Sequence, residues 1–269
     1  MAIKSTGPLA LNGDIVAEFT TATGKNLGSL RGVTWYVSNV LTTGTFSSTN
    51  LTFSGFYGKR ATDPAGASSI VYEPGTYTFE VPLFRTSLII DAWGGGGGGD
   101  NGGGAAGSDT TVVSTAGTLT ASAGKGGGGG GRRSTGPGGA GGAATGGDIN
   151  ESGAPGGIGS SNAGGNSGGQ AYGGGAGGIS GATGTSCGGN DGLPGDAPGG
   201  GGGGVYGRDC SKDPGWSYSG GGGGGGFVRK TYTPAQAPYK STINITVGAG
   251  SVGNAQSVGA AGRVVITWS

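Results

Sequence analysis

GGGGGG at 94–99, GGGGGG at 126–131, GGGGGG at 199–204 and GGGGGGG at 220–226 are the stretches whose reading decides the fold. They stand among GGX-like tracts such as GGAGGAATGG (138–147) and GGQAYGGGAGG (168–178), and 59 of the chain's 74 glycines lie between positions 94 and 226. That is about 44% of the segment, more than the third that collagen's repeat supplies, and the spacing is not a strict triplet. Collagen is therefore excluded. With almost no side chains to bury, the segment has no conventional core, and glycine loses the most backbone entropy on ordering. Two outcomes remain: a flexible Gly-rich linker, or backbone packed directly on backbone.

The second outcome makes a demand on spacing. In polyproline II geometry a chain has three residues per turn, and its N–H and C=O groups point outward without partners of their own. Neighbouring chains can satisfy them if no side chain intervenes. A helix enclosed on all sides must be all glycine, whereas one at an edge can carry an outward residue at every third position. The four pure runs, each roughly 19–22 Å long at about 3.1 Å per residue, are expected inside, and the GGX tracts at the periphery. Strand-like segments on both sides and distinct turn clusters, such as the one at 191–198, favour the ordered reading over a linker.

Outward from the glycines, the flanks alternate with period two. TYTFEVP (76–82), SLIIDAW (87–93), TTVVSTAGTLTAS (110–122), FVRKTY (227–232), STINITV (241–247) and GRVVITW (262–268) read as five or six short strands. Strands on both sides of an insert imply one sheet system that fixes both ends of the bundle. Residues 1–60 have ordinary composition. GDIVAEF (13–19) reads as a short helix with Asp14 at its N-cap, and VTWYV (33–37) alternates. This segment reads as a docking module whose Ile15, Phe19, Leu30, Trp35 and Tyr36 meet another component. The expected fold is thus mostly β and irregular: a small antiparallel β-framework (61–93 and 227–269) clamping a glycine-rich bundle (94–226), with a small α+β module at 1–60.

Composition narrows the function. A net charge of +1 with 15 Lys and Arg offers no footprint for nucleic acid or an anionic membrane, and no apolar stretch approaches the length of a span. Without a single histidine there is no imidazole base, no serine stands in a nucleophile-and-base constellation, and no metal site or cofactor is expected. Strings of GxGxxG type follow from composition, and none lies in a strand-to-helix unit. Catalysis finds no support. Cys187 and Cys210 are read either as a disulfide, which would contribute roughly 3 kcal/mol in the chain-entropy picture, or as two free thiols. Binding has a better candidate, because aromatic and charged residues concentrate at 205–218, VYGRDCSKDPGWSY. Tyr206, Arg208, Trp216 and Tyr218, with Tyr172, are the expected contact residues. The alternative is that Trp216 and the tyrosines seal the end of the bundle.

YEPGTYTFEVP…TSLIIDAWGGGGGG (72–99), closed by GGGGGGGFVRKTYTP, STINITVGAGSVG and GRVVITWS, resembles the glycine-rich domain of bacteriophage tail-fibre and adhesin proteins. GDIVAEF…NLGSLRG (13–32) is similar to a short module common in phage virion proteins. The resemblance implies a sandwich of polyglycine II helices, distal loops that contact a bacterial surface receptor such as an outer-membrane protein or a glycan, attachment to other tail or fibre proteins through the N-terminal module, and a place on the virion. It leaves open a homo-oligomer, and also a decoration or spacer protein of head, neck or tail with no receptor contact. An ice-binding bundle would need a flat, regular Thr or Ala face, and none is present.

Overall fold

The computed structural model describes residues 15, 18–19, 30–37, 43–60, 65–99, 103–130, 134–159, 167–181, 188–190, 192–209, 215–252 and 257–269. Near the N-terminus, β1 (Thr34–Val37), β2 (Thr43–Thr45) and β3 (Lys59–Arg60) form an antiparallel sheet in the order β2-β1-β3, with a 3-10 turn at Phe53–Phe56. A helical bond from the Phe19 amide to the Ile15 carbonyl (3.0 Å) holds one turn of the expected helix, while Asp14 lies outside the described residues. Ile15, Phe19 and Leu30 are buried with Phe46 and Phe56 in a core of their own. The rings of Phe46 and Phe56 sit 4.3 Å apart, and Phe19 meets Phe46 edge-on at 5.3 Å. This corrects the docking expectation for Ile15, Phe19 and Leu30, because an apolar side chain facing its own core cannot also face a partner. Trp35 and Tyr36 stay half-buried, each under a cation: the Lys59 ammonium lies 3.3 Å from the Trp35 ring centre, and Arg85 stands 5.4 Å over Tyr36.

The remaining strands are β4 (Ser68–Tyr72), β5 (Gly75–Glu80), β6 (Leu88–Trp93), β7 (Thr110–Ser114), β8 (Gly117–Ala121), β9 (Ala144–Thr145), β10 (Ile149–Glu151), β11 (Gly188–Asn190), β12 (Tyr206–Asp209), β13 (Gly215–Tyr218), β14 (Phe227–Tyr232), β15 (Thr242–Val247) and β16 (Arg263–Trp268). Two five-stranded antiparallel sheets, β10-β14-β6-β16-β4 and β5-β15-β7-β8-β9, pack face to face. Period-two alternation supplies the contact. Leu88, Ile90, Ala92, Val228, Val264 and Ile266 from the first sheet meet Phe79, Val112, Leu119, Ile243, Ile245 and Val247 from the second, all buried. There are thus more strands than the five or six expected, and β7–β8 belong to the framework although they lie within the glycine-rich span.

The glycine runs continue this sandwich. Trp93 is flanked by Phe227 of β14 and Arg263 of β16, and the next residue, Gly94, donates to Gly226 at 3.0 Å. Beyond the strands the order β14-β6-β16 is kept by 220–226, 94–99 and 257–260, through bonds such as Gly97 to Gly223 (2.9 Å) and Gly99 to Ser257 (2.9 Å). Likewise β15-β7-β8-β9 gives way to 249–251, 104–108, 122–128 and 137–143, as in Ser108 to Ala249 (2.9 Å) and Lys125 to Ala140 (2.8 Å). A sandwich keeps its sheets about 10 Å apart because side chains fill the gap. Where the side chains end, the layers close and bond to each other: Gly95 donates to Ser108 (3.0 Å), Gly98 to Ala105 (2.9 Å), and Gly127 to Gly98 (2.9 Å).

Within two of the buried runs the donors rotate with a period of three. Gly94 and Gly97 donate to 223–226, Gly95 and Gly98 to 105–108, and Gly96 and Gly99 to 257–260. In the last run Gly220, Gly223 and Gly226 donate to 122–128, Gly221 and Gly224 to 154–157, and Gly222 and Gly225 to 199–202. Interior alanine is excluded by the same geometry. A Cβ on Gly96 would lie 2.1 Å from the Gly200 carbonyl oxygen, and one on Gly97 would lie 2.0 Å from that of Lys125. The runs at 94–99, 199–204 and 220–226 are buried throughout. The fourth differs from expectation: Gly127 is buried, Gly126, Gly128 and Gly130 are half-exposed, and Gly129 is exposed, because this run lies in the outer layer. In the tract beside it the three-residue rhythm shows as burial, with Gly136, Gly139 and Gly142 inside and Pro137, Ala140 and Ala143 outside.

Candidate functional site

The glycine block has two ends. Gly94, Gly199 and Gly226 adjoin the sandwich, whereas Gly99 meets Gly203 at the far end. The described ends of six connections, Gly99 and Gly103, Gly130 and Gly136, Gly159 and Ser167, Gly181 and Gly192, Val205 and Ser219, and Val252 and Ser257, lie at that far end. At the sandwich end the chain turns at 144–150, 171–175 and 196–199. Turns are where side chains other than glycine can stand, so the two ends carry the chemistry.

At the far end β12 and β13 form a hairpin that leaves the run at 199–204 and returns into the run at 220–226, with β11 on its outer side. Its base is closed by Ser219, which is buried. The Ser219 hydroxyl accepts from the Val205 amide (2.6 Å) and donates to the Val205 carbonyl (3.2 Å), while the Ser219 amide donates to the same carbonyl (3.0 Å). In register, Tyr206 opposes Tyr218 and Arg208 opposes Trp216. All four residues expected from sequence at 205–218 therefore lie on one hairpin.

Two members of the expected set are placed differently from the sequence reading. Tyr218 is 7% exposed, and its carbonyl accepts from Gly136 (2.7 Å), so it seals the bundle instead of facing solvent. It opens the final inward-turning tract, where a side chain has nowhere to go but against the neighbouring tract. Tyr172 is exposed but sits at the sandwich end, so it cannot act with the hairpin. The turn holding it is closed by Gly173, whose φ of +58° suits glycine, and is fastened by a bond from Trp93 Nε1 to the Tyr172 carbonyl (2.9 Å). Sequence nearness of 172 to the other turns concealed this, because each tract reverses the direction of the chain. Cys187 and Cys210 lie outside the described residues, although the strands beside them, β11 and β12, are paired.

Three ion pairs lie on the framework. Arg229 pairs with Asp91 through two bonds (2.5 and 2.7 Å), Arg263 with Glu73 (2.9 Å), and Lys230 with Asp148 (2.6 Å). Asp91 holds the Arg229 guanidinium above its ordinary range, chiefly by hydrogen bonding. The Lys230 hydrogen bond, with help from the Thr231 amide, holds the Asp148 carboxyl below the usual carboxylate range. Among the described residues no three metal-ligating side chains come together, and no helix is long and apolar enough to cross a membrane. The chain matches no protein-family model, no curated protein sequence and no solved structure.

Proposed function

We propose that the chain is a bacteriophage tail-fibre or adhesin protein, a virion component in which a bundle of polyglycine II helices presents a receptor-binding hairpin to the bacterial surface. The helical reading is supported by donors that step round three neighbours and by outward residues at every third position. The observation that carries the function is the concentration of Tyr206, Arg208 and Trp216 on one hairpin at the end of the block farthest from the sandwich. Loops fixed on a rigid scaffold are the usual carriers of recognition. The receptor is an outer-membrane protein or a surface glycan, and no cofactor or catalysis is involved.

Trp216→Ala combined with Arg208→Ala lowers adsorption to host cells tenfold or more, equivalent to about 1.4 kcal/mol, with melting unchanged. Undiminished adsorption by the folded double variant favours a second reading, a spacer or decoration protein of the virion. The burial of Tyr218 at the hairpin base speaks for that reading. In either case the module at 1–60 attaches the chain to other virion proteins, with Trp35 and Tyr36 the surviving contact candidates. Deleting 1–60 leaves a soluble, folded remainder that is absent from purified particles; normal incorporation contradicts the attachment role.

A further inference from the structure

Tyr172 is 52% exposed, yet it is held in place from two sides. Its ring lies 5.6 Å from that of Phe227 at an interplanar angle of 31°, and Phe227 in turn packs 5.0 Å from Trp93. Its carbonyl takes the Trp93 indole N–H, and the buried Ala171 precedes it in the same apolar cluster. An aromatic ring fixed by its neighbours, and still turned half to solvent, loses little entropy when something stacks on it. Beside it lies a depression of about 340 Å³ lined by Ser152, Ala154, Gln170, Ala171, Tyr172 and Gly173. This is at the small end of the roughly 300–1,000 Å³ range of ligand sites.

The lining joins apolar surface from Ala154, Ala171 and the tyrosine ring to two groups that both donate and accept, the Gln170 amide and the Ser152 hydroxyl. Neither side chain has a protein hydrogen-bond partner among the described residues. Their positions are fixed by backbone: Ala154 donates to the Gln170 carbonyl (2.8 Å), which sets the tract leading from Ser152 antiparallel beside the tract leading into Tyr172. The Arg229 guanidinium, 5.9 Å over the Phe227 ring and in electrostatic reach of Tyr172, lies nearby but is committed to Asp91. The six lining residues thus offer an aromatic face and neutral two-way hydrogen bonders, and none of them carries a charge.

We propose that this depression is a saccharide-binding site that takes a neutral pyranose, separate from the hairpin at the opposite end of the bundle. The axial C–H groups of a pyranose carry slight positive charge and suit the negative face of the tyrosine ring. Its vicinal hydroxyls, each donor and acceptor, match the Gln170 amide and the Ser152 hydroxyl. Neutral groups also suit a ligand without charge, since the nearby Arg229 guanidinium is already paired with Asp91.

Saturation-transfer NMR on the full chain with the methyl glycosides of glucose, galactose, mannose, rhamnose and N-acetylglucosamine tests this. At least one should receive saturation at its ring C–H protons. The effect should fall at least fivefold in Tyr172→Ala and in Gln170→Ala, survive in Tyr172→Phe, and be unchanged in Trp216→Ala. Gln170 is exposed, so its variant keeps the test valid if Tyr172→Ala melts early. No transfer to any of the five, transfer that persists in both alanine variants, or loss in Trp216→Ala instead, overturns the proposal. The losses in Tyr172→Ala and Gln170→Ala read this site, and adsorption of the Trp216→Ala, Arg208→Ala double variant reads the hairpin, so the two readings fail separately.

Discussion

A β-carbon is the unit on which the glycine block turns. At Gly202 it would stand 2.0 Å from the Ser257 carbonyl oxygen, a backbone atom that cannot swing aside. The neighbours must part, and the bond that Gly202 donates to Gly97 (2.8 Å) and the one it accepts from Gly222 (2.9 Å) are lost or stretched. Overpacking and an orphaned buried amide together cost about 3 kcal/mol or more. Gly202→Val should therefore lower Tm by roughly 6–12 °C for a chain of this size. Ala140→Val makes the paired control, since Ala140 is exposed and one position out of phase with the buried Gly139. It should leave Tm within about a degree, and equal effects of the two in calorimetry would contradict the three-residue phase.

At the scale of elements, the short β9–β10 connection joins the two sheets, since β9 pairs with β8 and β10 with β14. Asp148 between them accepts from the Lys230 ammonium (2.6 Å) and the Thr231 amide (2.8 Å). Its carboxyl is depressed in the folded protein, so the stability it contributes is present above the ordinary carboxylate range and is lost as pH falls through the lowered folded value. Lys230 is raised by the same bond, so its contribution is present below the ordinary lysine range and is lost only as pH rises past it. Asp148→Asn should flatten the acid limb of a Tm-against-pH curve and leave mid-range Tm little changed, because the pair is exposed. An acid limb identical to that of the parent protein contradicts this.

The same scale shows what could be read beforehand. Strands β5, β6, β7, β8, β14, β15 and β16 all fall on alternating stretches visible in the sequence, because a half-buried strand must alternate. The pairing of two sheets was not visible, because the edge strand β4 has Ile70 and Val71 both exposed and does not alternate, and the two-residue β9 and three-residue β10 are too short to announce themselves. The hairpin set Tyr206, Arg208, Trp216 and Tyr218 was legible as a cluster, since only turns can hold such residues. That Tyr218 faces inward was not, because a tyrosine closing a bundle and one opening to solvent look alike in sequence. The module core was misread for a related reason: Ile15, Phe19 and Leu30 count as unsatisfied apolar area only if the rings of Phe46 and Phe56, separated from them in the chain by β1 and β2, are left out.

For the whole molecule, the architecture is a change of medium along one axis. Two sheets held by side chains become, past Trp93 and Phe227, layers held by backbone hydrogen bonds, with the strand order kept across the junction. The sandwich supplies the hydrophobic burial, and the glycine block supplies reach and a far end on which varied turns are displayed. Its ordering depends on every interior amide having found a carbonyl. Amide hydrogen exchange at 94–99, 199–204 and 220–226 is the measurement that tests this most directly. Bonded and buried, these amides should exchange at least about a thousandfold more slowly than in an unstructured glycine peptide, an opening free energy of about 4 kcal/mol. Exchange at the peptide rate, with β6 and β16 still protected, would show a glycine-rich linker strung on a β-sandwich and contradict the bundle.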